Sequence, residues 1–263
     1  MDCRGLIAID VDGTLLTPNG EMSSFTKETL LSLREKGYQI VLATGRPFRA
    51  GAKFYLQLGG MGPIICYNGL LCLDPSESSF PRIDARFPRA KVLAIAEKAT
   101  MVKAIVSESE TSFFMTSWIP GLERYFPLSS MERREGDLED ILTSDPYTCI
   151  FQLTGEDDSS LEEAAKQEGL LYHRWTSLPL SELAMPGYTK GTGLSHVASY
   201  FGIEKERIYG FGDSENDRSL LSVCGHPFVM ANSRSSKLKK DFPVTEKGNA
   251  DDGVAYQLLQ LGL

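Results

Sequence analysis

Two carboxylates stand where an apolar segment near the start of the chain ends. Residues 6–9 are Leu, Ile, Ala and Ile, and Asp10 and Asp12 follow them directly. Burying an unpaired charge inside a sheet costs several kcal/mol or more, so Asp10 is expected at the carboxyl end of a strand. In open α/β sheets that edge is where ligands bind, and Gly13 lets the backbone approach a ligand closely. Taken alone, the stretch also fits an Asx turn that ends a strand.

Polar side chains with related chemistry end two later apolar segments. Thr44 follows the second predicted strand, and Asp213 and Asp217 follow a third one late in the chain. Oxygen ligands at one sheet edge suit a hard divalent cation, and Mg2+ typically takes one or two carboxylates with water and phosphate oxygens. Lys190 opens a predicted helix, where its ammonium is a point charge for a phosphate or a carboxylate. Each residue alone is also explained by a turn, a helix cap or a solvated helix face, so their joint occurrence is what indicates a site.

The elements that must position these residues alternate between strands and helices. Before residue 74 the pattern predicts a strand at 6–9, a helix capped by Ser24, a strand at 38–43, a helix that begins at Pro47, a strand at 64–67 and, after the turn Asn68-Gly69, a return strand at 70–73. After residue 187 it predicts a helix from Lys190 to Phe201, strands at 207–211 and 227–230, and a last helix from Val254 to Leu261. Apolar strands separated by helices indicate a parallel sheet with right-handed crossovers.

The segment between these two parts has a different pattern. A Pro- and Ser-rich stretch at 74–80 is typical of a linker and predicts a domain boundary near residue 82. The following residues mix neighbouring strands with helices, one of which has capping-box spacing at Ser159 and Glu162. Residues 118–146 show no clear pattern. The predicted fold is a doubly wound, Rossmann-like parallel-sheet core at 1–82 and 187–263 with an inserted α+β domain at 83–186.

The composition is that of an ordinary globular protein, with 42% apolar and 24% charged residues. A formal net charge of −8 provides no basic surface, so no nucleic-acid partner is expected. No apolar run reaches the roughly 20 residues of a membrane span, and the N-terminus lacks an apolar signal core, so we expect a cytoplasmic protein with no membrane partner. The five cysteines lack disulfide-scaffold or zinc-ligand spacing.

The motif set resembles the haloacid dehalogenase superfamily of phosphotransferases, whose four motifs occur here in order. The first is similar to Asp10-Val11-Asp12-Gly13-Thr14, the second to Thr44 in Ala43-Thr44-Gly45-Arg46, the third to Lys190-Gly191 and the fourth to Gly212-Asp213-Ser214-Glu215-Asn216-Asp217. Asn68-Gly69 and the late stretch at 244–254 are similar to the Cof-type subfamily, in which a large cap lies between the second and third motifs. The resemblance covers essentially the whole chain and implies that the inserted domain is a cap that closes over the active site.

The resemblance implies an aspartyl-phosphate mechanism. Asp10 is the expected nucleophile, and Asp12 the expected acid and base, whose backbone carbonyl also binds the metal. Thr44 is expected to hydrogen-bond the phosphoryl group, and Lys190 to stabilise its charge. The implied metal ligands for Mg2+ are Asp10, Asp12, Asp213 and Asp217, with Asp217 in or near the second shell, and the implied phosphate- or substrate-binding residues are Gly45, Arg46 and Asn216.

The expected activity is a Mg2+-dependent phosphatase for small phosphorylated metabolites, with sugar phosphates as the first expectation. Two alternatives remain open. A phosphosugar mutase shares the nucleophile but returns the phosphoryl group to the sugar, and a non-catalytic protein binds a phosphorylated ligand in the same cleft. Every motif residue is present, which favours catalysis. The sequence does not indicate an oligomeric state.

Overall fold

The computed structural model describes residues 3–124, 126, 131–175 and 178–263. It divides the chain into two compact units, Met1–Ile83 with Thr189–Leu263, and Asp84–Tyr188. These limits lie within two residues of the boundaries predicted at 82 and 187.

In chain order the strands are β1 (Gly5–Asp10), β2 (Tyr38–Ala43), β3 (Ile64–Cys66), β4 (Leu71–Leu73), β5 (Ile83–Asp84), β6 (Val102–Glu108), β7 (Ser112–Met115), β8 (Glu132–Glu135), β9 (Thr148–Leu153), β10 (Leu171–Arg174), β11 (Leu180–Ala184), β12 (Ile208–Gly212) and β13 (His226–Val229). The α-helices are α1 (Ser24–Glu35), α2 (Phe48–Gln57), α3 (Arg89–Lys98), α4 (Leu138–Ile141), α5 (Ser159–Gln167), α6 (Lys190–Phe201), α7 (Arg218–Val223), α8 (Ser236–Asp241) and α9 (Gly253–Gln260). No helix among the described residues is long and apolar enough to cross a bilayer.

The first unit is built on a sheet with the strand order β13-β12-β1-β2-β3-β4-β5. Strands β13, β12, β1, β2 and β3 run parallel, whereas β4 is antiparallel to β3. All six residues of β1 are buried, as expected for a central strand covered on both faces. Its side chains Leu6 and Ala8 share one buried cluster with Val41, Leu194 and Ile208. The predicted doubly wound α/β core is confirmed.

The register of β1 determines which residues meet at the carboxyl edge of this sheet. Asp10 pairs with Ala43 of β2, and Ile9 pairs with Phe211 of β12. Thr44 and the residues after Gly212 therefore follow their strands at the level of Asp10, which is where the parallel strands end.

Two predictions of helix capping were wrong. The N-cap of α1 is Ser23, whose Oγ accepts from the Thr26 backbone N–H at 3.0 Å, because Ser24 already has helical geometry. The predicted capping box of α5 does not form. Asp158 occupies its N-cap without a side-chain cap, and the Ser159 hydroxyl instead donates to Asp157 at 2.7 Å.

The predicted hairpin after β3 is confirmed, but its turn is longer than Asn68-Gly69. Strands β3 and β4 pair in antiparallel fashion, and the connection includes Tyr67 at φ 48° and Asn68 at φ 54°. Gly69 has φ 106°, and a Cβ at this position would lie 2.2 Å from the Thr189 carbonyl oxygen. The turn therefore packs directly against the start of α6.

The second unit contains a sheet in the order β10-β11-β9-β6-β7-β8. Its described pairs are antiparallel except β7 with β8, and α3 and α5 pack against each other. The expected inserted α+β domain is therefore present. Strand β8 and helix α4 lie in the stretch where the sequence pattern predicts no element, and residues 125 and 127–130 of that stretch lie outside the described residues.

Candidate active site

Lys190 joins two carboxylates at the carboxyl edge of the first unit's sheet. Its Nζ donates to Asp10 Oδ1 and to Asp217 Oδ1, both at 2.6 Å. The lysine is the first residue of α6, whose start is fixed by a capping box between Thr189 and Thr192. Its side chain is 1% exposed. Burial alone would lower the pKa of Lys190, but the two carboxylates raise it by more, so the ammonium stays charged.

Asp217 orients the loop that carries Asp213. Its Oδ2 accepts from the backbone N–H groups of Asp213 at 2.9 Å and Ser214 at 3.0 Å, while its Oδ1 binds Lys190. Asp217 is fully buried. Both of its oxygens are thus engaged within the protein, which fits a residue that supports a metal ligand better than one that donates directly to a metal.

The carboxylates of the site exceed its described positive charge. One oxygen each of Asp10, Asp213 and Asp217 lie within 4.8 Å of one another, with Lys190 as their ammonium partner. Burial, followed by the charge of Asp217, raises the pKa of Asp213 to about 6. The same two causes raise the pKa of Asp10 well above its ordinary value, although Lys190 opposes them. A divalent cation would remove this excess negative charge.

Asp10 also retains an unused ligand atom. Its Oδ2 is buried and has no hydrogen-bond partner among the described residues. A buried carboxylate oxygen without a partner is costly unless a cation or a ligand binds it. The donor set of Asp10 and Asp213 therefore fits a hard divalent metal.

Gly13 brings the first acidic loop against the second. It has φ +80°, and a Cβ built on it would lie 2.5 Å from Asp213 Oδ2. Only glycine allows the backbone after Asp12 to pass this close to the Asp213 carboxylate.

Thr44 follows Ala43, the partner of Asp10 in the sheet, and is held by backbone groups of three other residues. Its N–H donates to the Ile65 carbonyl at 2.8 Å, its carbonyl accepts from Asn68 N–H at 3.0 Å, and its Oγ1 accepts from Arg46 N–H at 3.0 Å. Gly45 passes close to the Asn68 side chain, because a Cβ there would lie 3.2 Å from the amide. The backbone at 44–46 thus forms a compact turn that can face a phosphoryl group.

Arg46 holds Asp12 in a two-point ion pair. Arg46 Nε donates to Asp12 Oδ2 and Nη2 to Oδ1, both at 2.6 Å. The Arg46 side chain is 13% exposed and that of Asp12 is 40% exposed. Asp12, the residue expected to transfer protons, is therefore held by Arg46 and remains accessible to a ligand. Arg46 is predicted from the resemblance to bind phosphate or substrate, and the structure shows it paired with Asp12.

Asn68 is a residue of the candidate site that is not among the predicted site residues. The sequence predicts a turn at Asn68-Gly69 and assigns Asn68 no role in the site, but its Oδ1 accepts from Asn216 Nδ2 at 3.1 Å. This bond joins the turn after β3 to the fourth motif. An asparagine beside a glycine is the ordinary signal of a turn, and the only sign in the sequence of a further role is the similarity of Asn68-Gly69 to the Cof-type subfamily.

The predicted site residues form two connected groups. The first is the charged cluster of Asp10, Lys190, Asp213 and Asp217, and the second contains Thr44, Gly45, Arg46, Asp12 and Asn216 together with Asn68. All of them lie in the first unit. A doubly wound α/β unit with a carboxylate and lysine cluster at its carboxyl edge has the architecture of a phosphoryl-transfer enzyme.

Comparison with known proteins gives the family. The family model for haloacid dehalogenase-like hydrolase matches residues 7–258, so the chain belongs to this family, and the resemblance to its Cof-type phosphatases is confirmed. The chain is 28% identical over 256 residues to 5-amino-6-(5-phospho-D-ribitylamino)uracil phosphatase YitU of Bacillus subtilis, covering 95% of this chain and 94% of the relative. It is 27% identical over 269 residues to pyridoxal phosphate phosphatase YbhA of Escherichia coli, covering 95% and 96%.

A solved structure shows the same fold over the whole chain. A haloacid dehalogenase-like hydrolase from Bacteroides thetaiotaomicron superposes with a TM-score of 0.79 at 26% identity, covering 98% of this chain and 99% of that one. The protein is thus a hydrolase of this family, of the phosphoric monoester phosphatase type.

Proposed function

We propose that this protein is a Mg2+-dependent phosphatase that hydrolyses small phosphorylated metabolites through a phosphorylated Asp10. The observation that carries the proposal is the environment of the Asp10 carboxylate. One oxygen is held by Lys190 at 2.6 Å, and the other is buried without a partner among the described residues. Such a carboxylate is oriented, yet it still has an oxygen for a metal or for phosphorus.

The first half of the reaction transfers the phosphoryl group to the protein. An Asp10 oxygen forms a bond to phosphorus while the ester P–O bond breaks, and Asp12 gives its proton to the departing alkoxide oxygen. Lys190 and the Thr44 hydroxyl stabilise the negative charge of the phosphoryl oxygens. Both Asp12 oxygens accept from Arg46, so the guanidinium must release at least one of them before that oxygen can carry the proton.

The second half releases inorganic phosphate. Asp12, now a carboxylate, takes a proton from a water molecule that attacks phosphorus, and the bond between phosphorus and Asp10 breaks. Asp10, Asp213 and the Asp12 backbone carbonyl would hold the Mg2+. When bound, the cation offsets the charge of the phosphoryl oxygens and of the carboxylates around them.

The names of the two relatives suggest a substrate class. The B. subtilis enzyme is named for a phosphoribityl group attached to uracil, and the E. coli enzyme for pyridoxal phosphate. In both compounds the phosphate esterifies a primary alcohol, and a nitrogen heterocycle is part of the molecule. We therefore include phosphomonoesters of this kind in the proposed substrate class, beside the sugar phosphates that are the first expectation.

The test is phosphate release from a panel of these compounds with and without Mg2+, for the wild type and Asp10→Asn. We expect Mg2+-dependent release by the wild type and none above background by Asp10→Asn. Asp140→Asn, an exposed change on α4, is the matched control and is expected to keep full activity. Unchanged hydrolysis by Asp10→Asn would contradict the mechanism. Transfer to a sugar acceptor without phosphate release would instead indicate the mutase.

A further inference from the structure

The turn after β13 touches both acidic loops of the site. Asn232 Nδ2 donates to the Gly13 carbonyl oxygen at 2.8 Å. The next residue, Ser233, donates its hydroxyl to the Asp213 carbonyl oxygen, and Met230 N–H donates to the Gly212 carbonyl oxygen at 2.9 Å. One short segment therefore binds the backbone of the first motif and that of the fourth.

A second asparagine extends this contact to the far end of the first loop. The Asn249 backbone N–H donates to Asn232 Oδ1 at 2.8 Å, and Asn249 Nδ2 donates to the Leu16 carbonyl oxygen at 2.6 Å. Gly248 permits the close approach, since a Cβ there would lie 3.1 Å from Asn232 Oδ1. Asn232 and Asn249, which we name the asparagine brace, thus hold the loop at the carbonyls of Gly13 and Leu16.

The loop after β1 needs a contact from another part of the chain to fix its backbone at Asp12 and Gly13. Asp12 and Gly13 leave helical geometry, with φ −83° and ψ 119° at Asp12 and φ 80° and ψ −2° at Gly13. Glycine gives the least conformational restriction of any residue. The pairing of β1 fixes Asp10 on one side, and the Asn232 amide fixes the Gly13 carbonyl on the other. Asp12 lies between these two fixed points, so both orient its backbone, while Arg46 holds its side chain.

We propose that the asparagine brace is a positioning device for the metal- and proton-handling groups of the first motif, which rests on the proposed function. The amide of Asn232 touches neither substrate nor metal in this assignment and acts through the Gly13 peptide. Asn232 is exposed, so water competes for its hydrogen bonds and their net stabilisation of the fold is small. Its main effect is on the geometry of the Asp12–Gly13 backbone.

The experiment measures Mg2+ binding to the substrate-free enzyme. The thermal midpoint is recorded at increasing Mg2+, and the shift gives the metal dissociation constant. Removing a residue that orients metal ligands typically weakens metal affinity 10–100-fold. We expect Asn232→Ala to raise the constant about tenfold, to lower kcat, and to leave the metal-free midpoint close to wild type. Asn249→Ala, which keeps Asn232, is expected to change the constant in the same direction by a smaller factor.

The matched control is Lys239→Met. Lys239 Nζ donates to the Ala231 carbonyl at 2.7 Å, so this variant loosens the same turn without removing the asparagine brace. We expect its Mg2+ dissociation constant to match that of the wild type. The proposal is overturned if Asn232→Ala binds Mg2+ as tightly as wild type, or if Lys239→Met weakens binding equally. If Asn232→Ala does not fold, the Mg2+ dissociation constant of Asn249→Ala is the test, and a value equal to that of the wild type overturns the proposal.

Failure of the proposed function gives a different result. A wild type whose thermal midpoint does not respond to Mg2+ would contradict the metal requirement itself, and with it the role of the brace. A wild type that responds to Mg2+ but hydrolyses none of the panel would leave the brace supported by the binding data and the substrate class rejected.

Discussion

A single buried ammonium compensates two buried carboxylates in this site. Lys190 is 1% exposed and Asp217 is fully buried, so the charges of this group are screened little by solvent. Removing one partner of a buried ion pair leaves an uncompensated charge in a low-dielectric environment, which costs about 3–5 kcal/mol.

Lys190→Met should therefore lower the free energy of unfolding by about 3–5 kcal/mol at pH 8 in urea titrations. The loss should be smaller at pH 5, because protonation of Asp10 removes part of the uncompensated charge. Lys166→Met, an exposed change on α5, should alter stability by less than about 0.5 kcal/mol. Equal stability losses in the two variants would show that the ammonium does not compensate the cluster.

Asp12→Asn tests the proton-transfer role separately from the nucleophile. General acid and base catalysis by one residue contributes about 10²–10⁴ in rate, and an amide cannot carry the proton. We expect kcat to fall by about that factor, while the thermal midpoint stays near wild type since Asp12 is partly exposed. Steady-state turnover at the wild-type rate would exclude the assigned role.

The sequence identified residue types at strand ends better than it identified their partners. Asp10, Thr44 and Asp213 could be located because each follows an apolar run whose end must reach the sheet edge. The pairing of Arg46 with Asp12 spans 34 positions, and that of Asn232 with Gly13 spans 219. Such contacts depend on the paths of loops with no periodicity, so they could not be predicted.

At the scale of elements, the loop after β1 depends on Gly13. Gly13→Ala adds a side chain at φ +80°, 2.5 Å from Asp213 Oδ2. Left-handed geometry costs a non-glycine residue about 1–2 kcal/mol, and the contact must also displace the Asp213 carboxylate. We expect kcat/KM to fall at least tenfold, which corresponds to about 1.4 kcal/mol.

Gly20→Ala is the matched control for that variant. Gly20 has φ +76°, but a Cβ there meets nothing within 4 Å. It should show the backbone cost of about 1–2 kcal/mol in unfolding while keeping wild-type kcat/KM. Equal activity in both variants would show that the approach of Gly13 to Asp213 has no catalytic importance.

Strand β1 could be predicted from its buried apolar residues, whereas strand β8 could not be predicted from its polar ones. The apolar residues of strand β1 are all buried, and a short apolar run of this kind has few structures open to it other than a central strand. Strand β8 is Glu-Arg-Arg-Glu, with no apolar alternation, and it forms because it can pair in parallel with β7. Its existence is set by tertiary pairing, which overrides local preference. The N-cap of α1 was predicted one residue too late, at Ser24 instead of Ser23, because either of these adjacent serines can cap a helix.

At the scale of the whole molecule, Mg2+ should stabilise the protein in a pH-dependent way. Without metal, the folded-state pKa of Asp213 is about 6 against an ordinary 3.8, and that of Asp10 is also raised. At pH values between 3.8 and about 6, Asp213 binds more protons in the folded protein than in the unfolded chain. Its titration therefore lowers the free energy of unfolding as the pH rises from about 4 to 6. Mg2+ binds the deprotonated carboxylates and competes with those protons.

We therefore expect the rise in thermal midpoint caused by Mg2+ to be larger at pH 7.5 than at pH 5. Scanning calorimetry at fixed Mg2+ across this range measures it. Asp213→Asn removes one of the titrating ligands, so its Mg2+ response should be small at both pH values. A wild-type response that is independent of pH would show that these carboxylates are not the metal ligands.

The order of strands in the sheet also constrains how the enzyme is made. Strand β1 pairs with β2 on one side, close in sequence, and with β12 on the other, near the end of the chain. Asp10 and Lys190 are 180 positions apart. During synthesis, the first strands emerge with one apolar edge open, and open edges invite association with other chains. An incomplete chain therefore has no active site, and one edge of β1 stays unpaired until β12 has been made.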